Sequence, residues 1–352
     1  MGGAGTERLA RLLRQQGEAC AQLGSPLYAE LLARLADDWV SGGPTASILV
    51  GHVDDPRDDL VALRLMGGVH RLVLQGLVPR LACYYPSVAG TAPPAEAWPA
   101  FKEVLSGHAD YLRARLDQAP QTNEVGRAAP LIGGLLHISA RQHRPLRLIE
   151  IGASAGLNLR ADHFRVELSG GRGVGPRDSP VVLAAAWEGD IPPLAAAFQI
   201  VERAGCDVEP LDPTTADGRL TLTSYVWPDQ LERLSRLRGA LEVAAVVPVQ
   251  VQRCGGADFL RRLRLEPGTT TVLWNSLMWQ YVGPDEQAEL STLVDALGGS
   301  ATEEAGFAHL ELEPGREPRN KGTFFVRLRT WPRGEERVLG EAHPHGVPVT
   351  WL

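Results

Sequence analysis

The chain has 352 residues, a length that can bury a large core in one domain or two. Hydrophobic residues make up 44% of it without an apolar run of about 18 residues, which argues against a membrane-spanning helix. The formal net charge is -7 and no basic run occurs, so the positive patch that binds duplex nucleic acid is missing. We therefore expect a small-molecule substrate and no nucleic-acid or membrane partner, while the oligomeric state stays open. The four cysteines, at positions 20, 83, 206 and 254, lack metal-ligand spacing, which is typical of a reduced cytoplasmic protein.

Residues 1–145 are predicted to form an all-helical cap region. Ser25-Pro26 suits the N-cap and first position of a helix, and large apolar residues then recur every four positions over 27–39. The apolar spacing over 98–112 predicts one further helix.

Polar side chains are dense at residues 121–127, just before the next predicted helix. Asn123, Glu124 and Arg127 would lie on adjacent turns of one helical face. One interpretation is a helix cap with a Glu124–Arg127 ion pair, which would stabilise the helix by only a few tenths of a kcal/mol. The other interpretation is a surface that faces a cofactor or a substrate.

The segment 146–159 carries the strongest functional pattern. An apolar run ending at Ile151 predicts a buried strand, Gly152–Gly156 predicts a turn of small residues, and 157–163 predicts a helix. A strand, a small-residue turn and a helix together are typical of a nucleotide-like ligand site. Glu150 lies at the end of the apolar strand and needs a partner, because burying a lone carboxylate is unfavourable by several kcal/mol.

Three interpretations of this turn remain open. The pattern E-x-G-x-S-x-G resembles motif I of the S-adenosylmethionine-dependent methyltransferases. It also resembles the nucleophile elbow of the α/β-hydrolases, with Ser154 as the nucleophile. The third interpretation is a tight turn whose small residues serve packing alone. The methyltransferase resemblance implies cofactor contacts from Glu150, Gly152, Ala153, Ser154, Gly156 and Asn158.

A second landmark follows an inserted hairpin predicted near 164–187, with 195–202 partly helical. Gly205, Asp207 and Pro210 resemble the methyltransferase strand end at which a carboxylate accepts both ribose hydroxyls of the cofactor. A carboxylate that faces a ligand in this way should have no protein partner, so we expect its removal to leave folding nearly unaffected.

Two later strands are predicted, at 246–251 and 270–274, with the last strands at 308–313, 323–329 and 347–351. The ends of the first two resemble the strand ends that meet the adenine and the substrate in methyltransferases. The further cofactor contacts that this resemblance implies are Ala257, Asp258, Asn275 and Ser276.

The remaining candidates concern the substrate and proton transfer. Substrate contacts are expected from Asn123, Arg127, Trp227, Trp279 and Tyr281. The candidates for a general base are Asp229, His343 and Glu124. A hydrolase would instead draw its acid from Asp207, Asp229 or Asp258 and its histidine from His343 or His345. No metal is expected, because two histidines two residues apart without further ligands more often cap a turn.

The combination QTNEVGRAAPL, LIEIGASAGLNL, RAGCDVEPLD, YVWPDQLER and HPHGVPVTW resembles a bacterial family known as domain of unknown function 2332. The resemblance covers nearly the whole chain and implies a Rossmann-like, methyltransferase-type fold without an established activity. We therefore expect an α/β domain over 146–352, with a sheet of about seven strands that binds S-adenosylmethionine, beneath the helical cap of residues 1–145. The alternatives are a serine hydrolase and a non-catalytic ligand-binding relative of the methyltransferase fold.

Overall fold

The computed structural model describes residues 3–52, 60–117, 120–315 and 322–352. The chain divides into two compact units. The first comprises Met1–Thr122 with Thr215–Leu234, and the second comprises Asn123–Thr214 with Ser235–Leu352. Each unit has its own hydrophobic core. The predicted boundary between residues 145 and 146 falls inside the second unit.

The described residues form the following α-helices: α1 (Gly3–Gln22), α2 (Pro26–Val40), α3 (Pro44–Leu49), α4 (Val61–Leu74), α5 (Pro79–Ala82), α6 (Trp98–Gly107), α7 (Ala109–Leu116), α8 (Ala128–Gln142), α9 (Ala216–Tyr225), α10 (Leu231–Val246), α11 (Gly256–Arg262) and α12 (Pro284–Gly299). Short 3-10 helices occur at Pro86–Val88, Pro94–Glu96, Val125–Arg127, Asn158–His163, Ser169–Gly171 and Trp279–Tyr281. None of the described helices has both the length and the apolar character needed to cross a bilayer.

The same residues form these strands: β1 (Leu146–Ile151), β2 (Arg165–Glu167), β3 (Gly173–Val174), β4 (Val182–Ala184), β5 (Trp187–Gly189), β6 (Ile200–Asp207), β7 (Gln250–Arg253), β8 (Thr270–Ser276), β9 (Gly306–Pro314), β10 (Phe324–Trp331), β11 (Glu335–Ala342) and β12 (Val349–Trp351). The chain is therefore mixed α/β, as its sequence predicts.

The first unit is helical, and its core follows the apolar periodicity of the sequence. In α2, proline stands at the start of the helix, and Leu27, Leu31, Leu35 and Trp39 are all buried on one side. The helix predicted over 98–112 is instead two helices, α6 and α7. They meet at His108, whose φ of -126° and ψ of 24° are not helical.

The main sheet of the second unit has nine strands, two more than the expected count of about seven. Their order is β5-β12-β11-β10-β9-β8-β1-β6-β7. The strands β7, β6, β1, β8 and β9 run parallel to one another, while β10 is antiparallel to both β9 and β11. Counted along the chain, the five parallel strands lie in the order third, second, first, fourth, fifth. Because parallel strands end at the same side of a sheet, the loops after all five meet at one edge.

The connection from β1 to β6 differs from the predicted helix and hairpin. Residues 158–163 form a 3-10 helix that is interrupted at Arg160, where φ is -106° and ψ is 18°. The expected hairpin is a separate three-stranded sheet in the order β3-β2-β4. The prediction of a partly helical segment at 195–202 is wrong, since β6 begins at Ile200. Within residues 152–199, all of them described, no α-helix connects the two strands.

Helices cover both faces of the sheet. On one face, α11 and α12 pack Phe259 and Leu290 against Ile149 and Leu273. On the other face, α8 presents Gly134, where an added Cβ atom would lie 2.3 Å from the Leu310 side chain. Such a close approach of helix and strand is possible only for glycine.

Candidate functional site

The turn after β1 is built from residues with left-handed backbone. The φ angles are +70° at Gly152, +54° at Ser154 and +66° at Gly156. Glycine adopts this region without strain, whereas a left-handed serine is unfavourable and persists only where its surroundings hold it. The turn after β1 is therefore held in shape by neighbouring groups.

Hydrogen bonds within the protein use most backbone N–H groups of this turn. The Ala153 N–H donates to the Cys206 carbonyl at 3.0 Å, and the Gly156 N–H donates to the Ala153 carbonyl at 2.7 Å. The Ser154 N–H donates to Asp207 Oδ2 at 2.8 Å, and the Leu157 N–H donates to Asn123 Oδ1 at 3.0 Å. These four N–H groups are engaged, and a six-residue 3-10 helix follows the turn in place of an α-helix. A phosphate group would lack the usual cradle of free N–H groups and helix N-terminus here.

Asp207 is the last residue of β6, and its carboxylate holds the turn after β1 through a hydrogen bond. Besides the Ser154 N–H on Oδ2, its Oδ1 accepts the Glu209 N–H at 2.9 Å. The expectation that this carboxylate has no protein partner is wrong. A carboxylate can accept about four hydrogen bonds, so Asp207 keeps the capacity to accept ligand hydroxyls as well.

Glu150 is buried next to the turn, with 2% of its surface exposed. Its Oε2 has no hydrogen-bond partner among the described residues. Burial raises the pKa of Glu150 well above its ordinary value, and Asp207 raises it further, while Arg127 and the Trp274 indole oppose the rise. The side chain therefore keeps its proton to higher pH than an exposed glutamate does, and one of its oxygens is unused.

Residues 123–127 support the turn from the side. Asn123 accepts the Leu157 N–H, and the Glu124 carbonyl accepts the Asn158 side-chain N–H at 3.3 Å. The Glu124 carboxylate accepts the Gly126 N–H at 3.1 Å and caps the 3-10 helix Val125–Arg127. This is the capping arrangement of the first interpretation. Glu124 is also buried, and its role as a general base or toward a ligand stays a prediction.

Arg127 reaches the same edge of the sheet. Its guanidinium donates to the Pro344 carbonyl at 3.2 Å and to the Ser276 carbonyl at 3.4 Å. Burial raises the pKa of both Glu150 and Glu313, and the Arg127 charge opposes that rise. Arg127 is thus a positive charge that acts on both acids at the ends of β1 and β9.

The end of β8 is tied to β9 by buried polar side chains. Asn275 Nδ2 donates to Glu313 Oε1 at 2.9 Å, and Asn275 Oδ1 lies 2.7 Å from His309 Nε2. The Met278 N–H donates to the same Glu313 oxygen at 3.0 Å. Trp279 Nε1 donates to Glu311 Oε2 at 3.4 Å, whereas Tyr281 is 54% exposed. Asn275 is therefore enclosed, and Tyr281 is the predicted substrate residue most accessible to a ligand.

The acids of β9 were missed by the sequence interpretation. His309, Glu311 and Glu313 alternate with leucine, a pattern typical of a strand with one solvated face. Here both faces are covered, and all three polar side chains are buried. Glu313 Oε2 has no hydrogen-bond partner among the described residues. Burial raises the pKa of Glu313 to about 7.

Two of the predicted site residues belong to the first unit. Asp229 accepts the Ser25 hydroxyl at 2.6 Å and the Leu27 N–H at 3.0 Å, so it caps the start of α2. Trp227 is buried beside Tyr28, with ring centroids 6.1 Å apart. Both side chains have clear structural partners, and their catalytic and substrate-binding roles stay predictions.

The start of α11 carries the predicted adenine contacts. Ala257 is buried in the core beneath the sheet. Asp258 is largely exposed and forms an ion pair with Arg261 at 2.6 Å, three residues along the same helix. A surface pair of this kind contributes about 0–1 kcal/mol to stability, so Asp258 is available to a ligand at little expense to the fold.

His343 and His345 form a turn. The His345 N–H donates to His343 Nδ1 at 3.1 Å, and the ring centroids lie 5.1 Å apart. Within the described parts of the chain, no three His, Cys, Asp or Glu side chains group in a way that could hold a metal ion. The role of His343 as a base stays a prediction.

Comparison with known proteins gives a single result. No curated protein and no solved structure matches the chain. A family model described as "Uncharacterized protein conserved in bacteria (DUF2332)" matches residues 10–351. The chain therefore belongs to this bacterial family, domain of unknown function 2332.

Proposed function

We propose that this protein binds S-adenosylmethionine at the edge formed by the ends of β1, β6 and β8, and transfers a methyl group to a small molecule. The order of the five parallel strands supports a Rossmann-like fold, in which ligands bind outside the strand ends where the order reverses. The reversal lies between β1 and β8. The antiparallel strand β10 beside β9 is a further feature in keeping with a methyltransferase-type sheet.

The hydrogen bonds of the turn favour a ligand without phosphate. A dinucleotide places its pyrophosphate on free N–H groups and on an α-helix N-terminus. Four N–H groups of this turn are already used, and a 3-10 helix follows it. S-adenosylmethionine carries no phosphate, so its binding does not depend on either feature.

Glu150 is the observation that carries the proposal. Its buried Oε2 has no partner among the described residues, and such an oxygen is unfavourable by about 1–3 kcal/mol unless a donor reaches it. A cationic ligand group beside the turn would supply that donor. Glu150 and Asp207 fit a ligand that combines a positive charge with ribose hydroxyls. When bound, S-adenosylmethionine would supply a methyl group activated by its sulfonium charge.

The protein's own contribution to such a reaction would be alignment. An in-line methyl transfer gains much of its rate from holding acceptor and methyl carbon in one geometry. Asp207 and Asn123 fix the turn through the Ser154 and Leu157 N–H groups. The half-buried Trp279 and the exposed Tyr281 offer aromatic faces to an acceptor.

Calorimetric titration with S-adenosylmethionine and with S-adenosylhomocysteine tests the proposal. We expect micromolar binding of at least one of them, about -8 kcal/mol, and no binding of NAD. Absence of heat and of a thermal shift at millimolar ligand would contradict the proposal, and so would tight binding of NAD.

One observation favours a serine hydrolase as a second candidate. Ser154 has a φ of +54°, and the nucleophile elbow also places its serine on a strained turn. Against this, Asp207 uses one carboxylate oxygen on the Ser154 N–H and the other on the Glu209 N–H. Labelling of the protein by a fluorophosphonate, lost in Ser154→Ala, would support the hydrolase. If the wild-type protein is not labelled and the Ser154→Ala variant still binds S-adenosylhomocysteine, the methyltransferase is supported.

A further inference from the structure

The segment Leu277–Gly283 lies over the turn after β1. A Cβ atom added to Gly152 would lie 3.2 Å from Met278 Cβ and 3.7 Å from Met278 Sδ. Met278 therefore rests against Gly152, at the point where a ligand would approach the turn. With this segment in place, access to the turn is restricted on this side.

Polar contacts hold the segment in place. The Met278 N–H donates to Glu313 Oε1 at 3.0 Å, and Trp279 Nε1 donates to Glu311 Oε2 at 3.4 Å. From α12, Gln287 Nε2 donates to the carbonyls of Trp279 at 2.8 Å and of Val282 at 2.9 Å. Hydrogen bonds of this kind can be exchanged for water with little net change in free energy. Met278, Trp279 and Val282 are also partly buried against the apolar core, so opening the segment exposes some apolar surface as well.

The closed arrangement leaves two unfavourable features in the protein. Leu277 has a φ of +51°, in the left-handed region that a branched side chain rarely adopts. Glu313 is 2% exposed and uses only one oxygen on the segment, while Oε2 has no partner among the described residues. Strain and an unpaired buried carboxyl oxygen together favour release of the segment when another donor becomes available.

We propose that Leu277–Gly283 is a lid that must lift for a ligand to reach the turn after β1, and that Glu313 is the latch that holds it down. The proposal rests on the proposed function only for the identity of the ligand. The latch itself is a property of the free protein. Once the lid lifts, Oε1 of Glu313 keeps the Asn275 side-chain N–H but loses the Met278 N–H, so both oxygens can accept from N–H or O–H groups of the ligand.

Hydrogen exchange of backbone amides tests the latch in the free protein. Glu313→Gln keeps an acceptor for the Met278 N–H, whereas Glu313→Met removes it at similar volume. We expect exchange at 278–282 to rise about fivefold to tenfold in Glu313→Met and to stay near wild type in Glu313→Gln. Amides of β1 report global stability, so the change in exchange at 278–282 is measured relative to theirs in each variant.

A second variant covers the case in which Glu313→Met fails to fold, since it also strips Asn275 of a partner. Trp279→Phe removes the indole N–H that reaches Glu311 and part of the ring, leaves Glu313 in place, and should raise exchange over the same residues by a smaller factor. Ser291→Ala, an exposed change on α12, is the matched control and should leave exchange unchanged. Equal exchange at 278–282 in wild type, Trp279→Phe and Glu313→Met would overturn the latch.

Stopped-flow association of S-adenosylhomocysteine tests whether the lid governs entry. A lid predicts faster association in Glu313→Met and Trp279→Phe than in Glu313→Gln, the Ser291→Ala control and wild type. Identical association rates in all five proteins would overturn the lid. Failure of every variant to bind this probe would count against the proposed function, and the exchange data would still decide the latch.

Discussion

Asp207 Oδ2 accepts the Ser154 N–H at 2.8 Å, so the carboxylate that ends β6 fixes the turn that follows β1. The second oxygen of Asp207, Oδ1, accepts the Glu209 N–H and so stabilises the turn directly after β6. Two adjacent parallel strands are thus joined at their carboxyl ends by one side chain. A residue at this position therefore acts on the fold as well as on any ligand at the edge.

Asp207→Ala should destabilise the protein as well as weaken ligand binding. It removes two hydrogen bonds to a charged acceptor, together about 3 kcal/mol of unfolding free energy and several degrees of Tm. Asp207→Asn keeps one acceptor oxygen and should fall between wild type and alanine. Urea unfolding and S-adenosylhomocysteine titration on the same variants separate the two effects.

Asp295→Ala is a suitable control for Asp207→Ala, because it removes a carboxylate from an exposed ion pair with Arg329. Its effect should lie within about 0–1 kcal/mol. If Asp207→Ala is no less stable than Asp295→Ala, the turn does not depend on this carboxylate.

Glu313 should make stability fall as pH rises from about 4.5 to about 7. Burial raises its folded pKa from 4.5 to about 7, so in this range the folded state binds the proton more tightly than the unfolded state. The stabilisation is complete below the unfolded pKa and is lost as pH rises through the folded pKa. At 1.36 kcal/mol per pKa unit, the loss is about 3 kcal/mol.

Urea unfolding between pH 4 and pH 8 checks the Glu313 dependence. In Glu313→Gln the part of the pH dependence that comes from Glu313 should vanish. The stability of the variant relative to wild type should therefore increase as pH rises. Glu303→Gln, at an exposed position, should keep the wild-type profile. Parallel profiles for wild type and Glu313→Gln would show that Glu313 does not titrate as proposed.

Asp229 is expected to matter for the stability of the helical unit rather than for ligand binding. Asp229→Ala removes the acceptor of both the Ser25 hydroxyl and the Leu27 N–H, and should lower stability by about 1–2 kcal/mol. Ser25→Ala removes one of these bonds, so the double variant should show less than the sum of the two losses. Unchanged melting with impaired turnover would instead restore Asp229 as a catalytic candidate.

Much of the fold could be predicted from local patterns. The run ending at Ile151 predicts β1, and the four-residue spacing predicts the buried side of α2, because periodicity reports which face is covered. The break at His108 and the strand β11 were not predictable in this way. Both depend on contacts far along the chain, such as the pairing of β11 with β10 and β12.

The site was only partly predictable, for a physical reason. Glycine spacing identifies a turn, but the partner of each turn N–H depends on tertiary structure, as the Asp207–Ser154 contact shows. The alternation at Glu311 and Glu313 is the same for a solvated strand and for one covered by a segment such as Leu277–Gly283. For these two acids the sequence offers one signal, a carboxyl directly after leucine near the end of a strand. That signal does not show whether the carboxyl is buried.

Glu150→Gln should weaken binding of S-adenosylmethionine and abolish its coupling to protons. In the free protein, burial raises the pKa of Glu150, so the carboxyl holds its proton to higher pH than an exposed glutamate does. A cationic ligand group favours the ionised form, so binding should release a proton and tighten as pH rises towards that raised pKa. Glutamine cannot ionise, and loss of the charged hydrogen bond should weaken binding about tenfold or more.

Calorimetry in buffers of different ionisation enthalpy measures the released proton directly. The wild-type heat should vary with the buffer, whereas the Glu150→Gln heat should not. Glu341→Gln alters an exposed carboxyl and should retain both the affinity and the buffer dependence of wild type. If wild-type binding exchanges no proton, or if Glu150→Gln binds as tightly as wild type, Glu150 does not face the ligand. The unused oxygen beside the turn would then need a different explanation, such as a buried water molecule between Glu150 and Trp274.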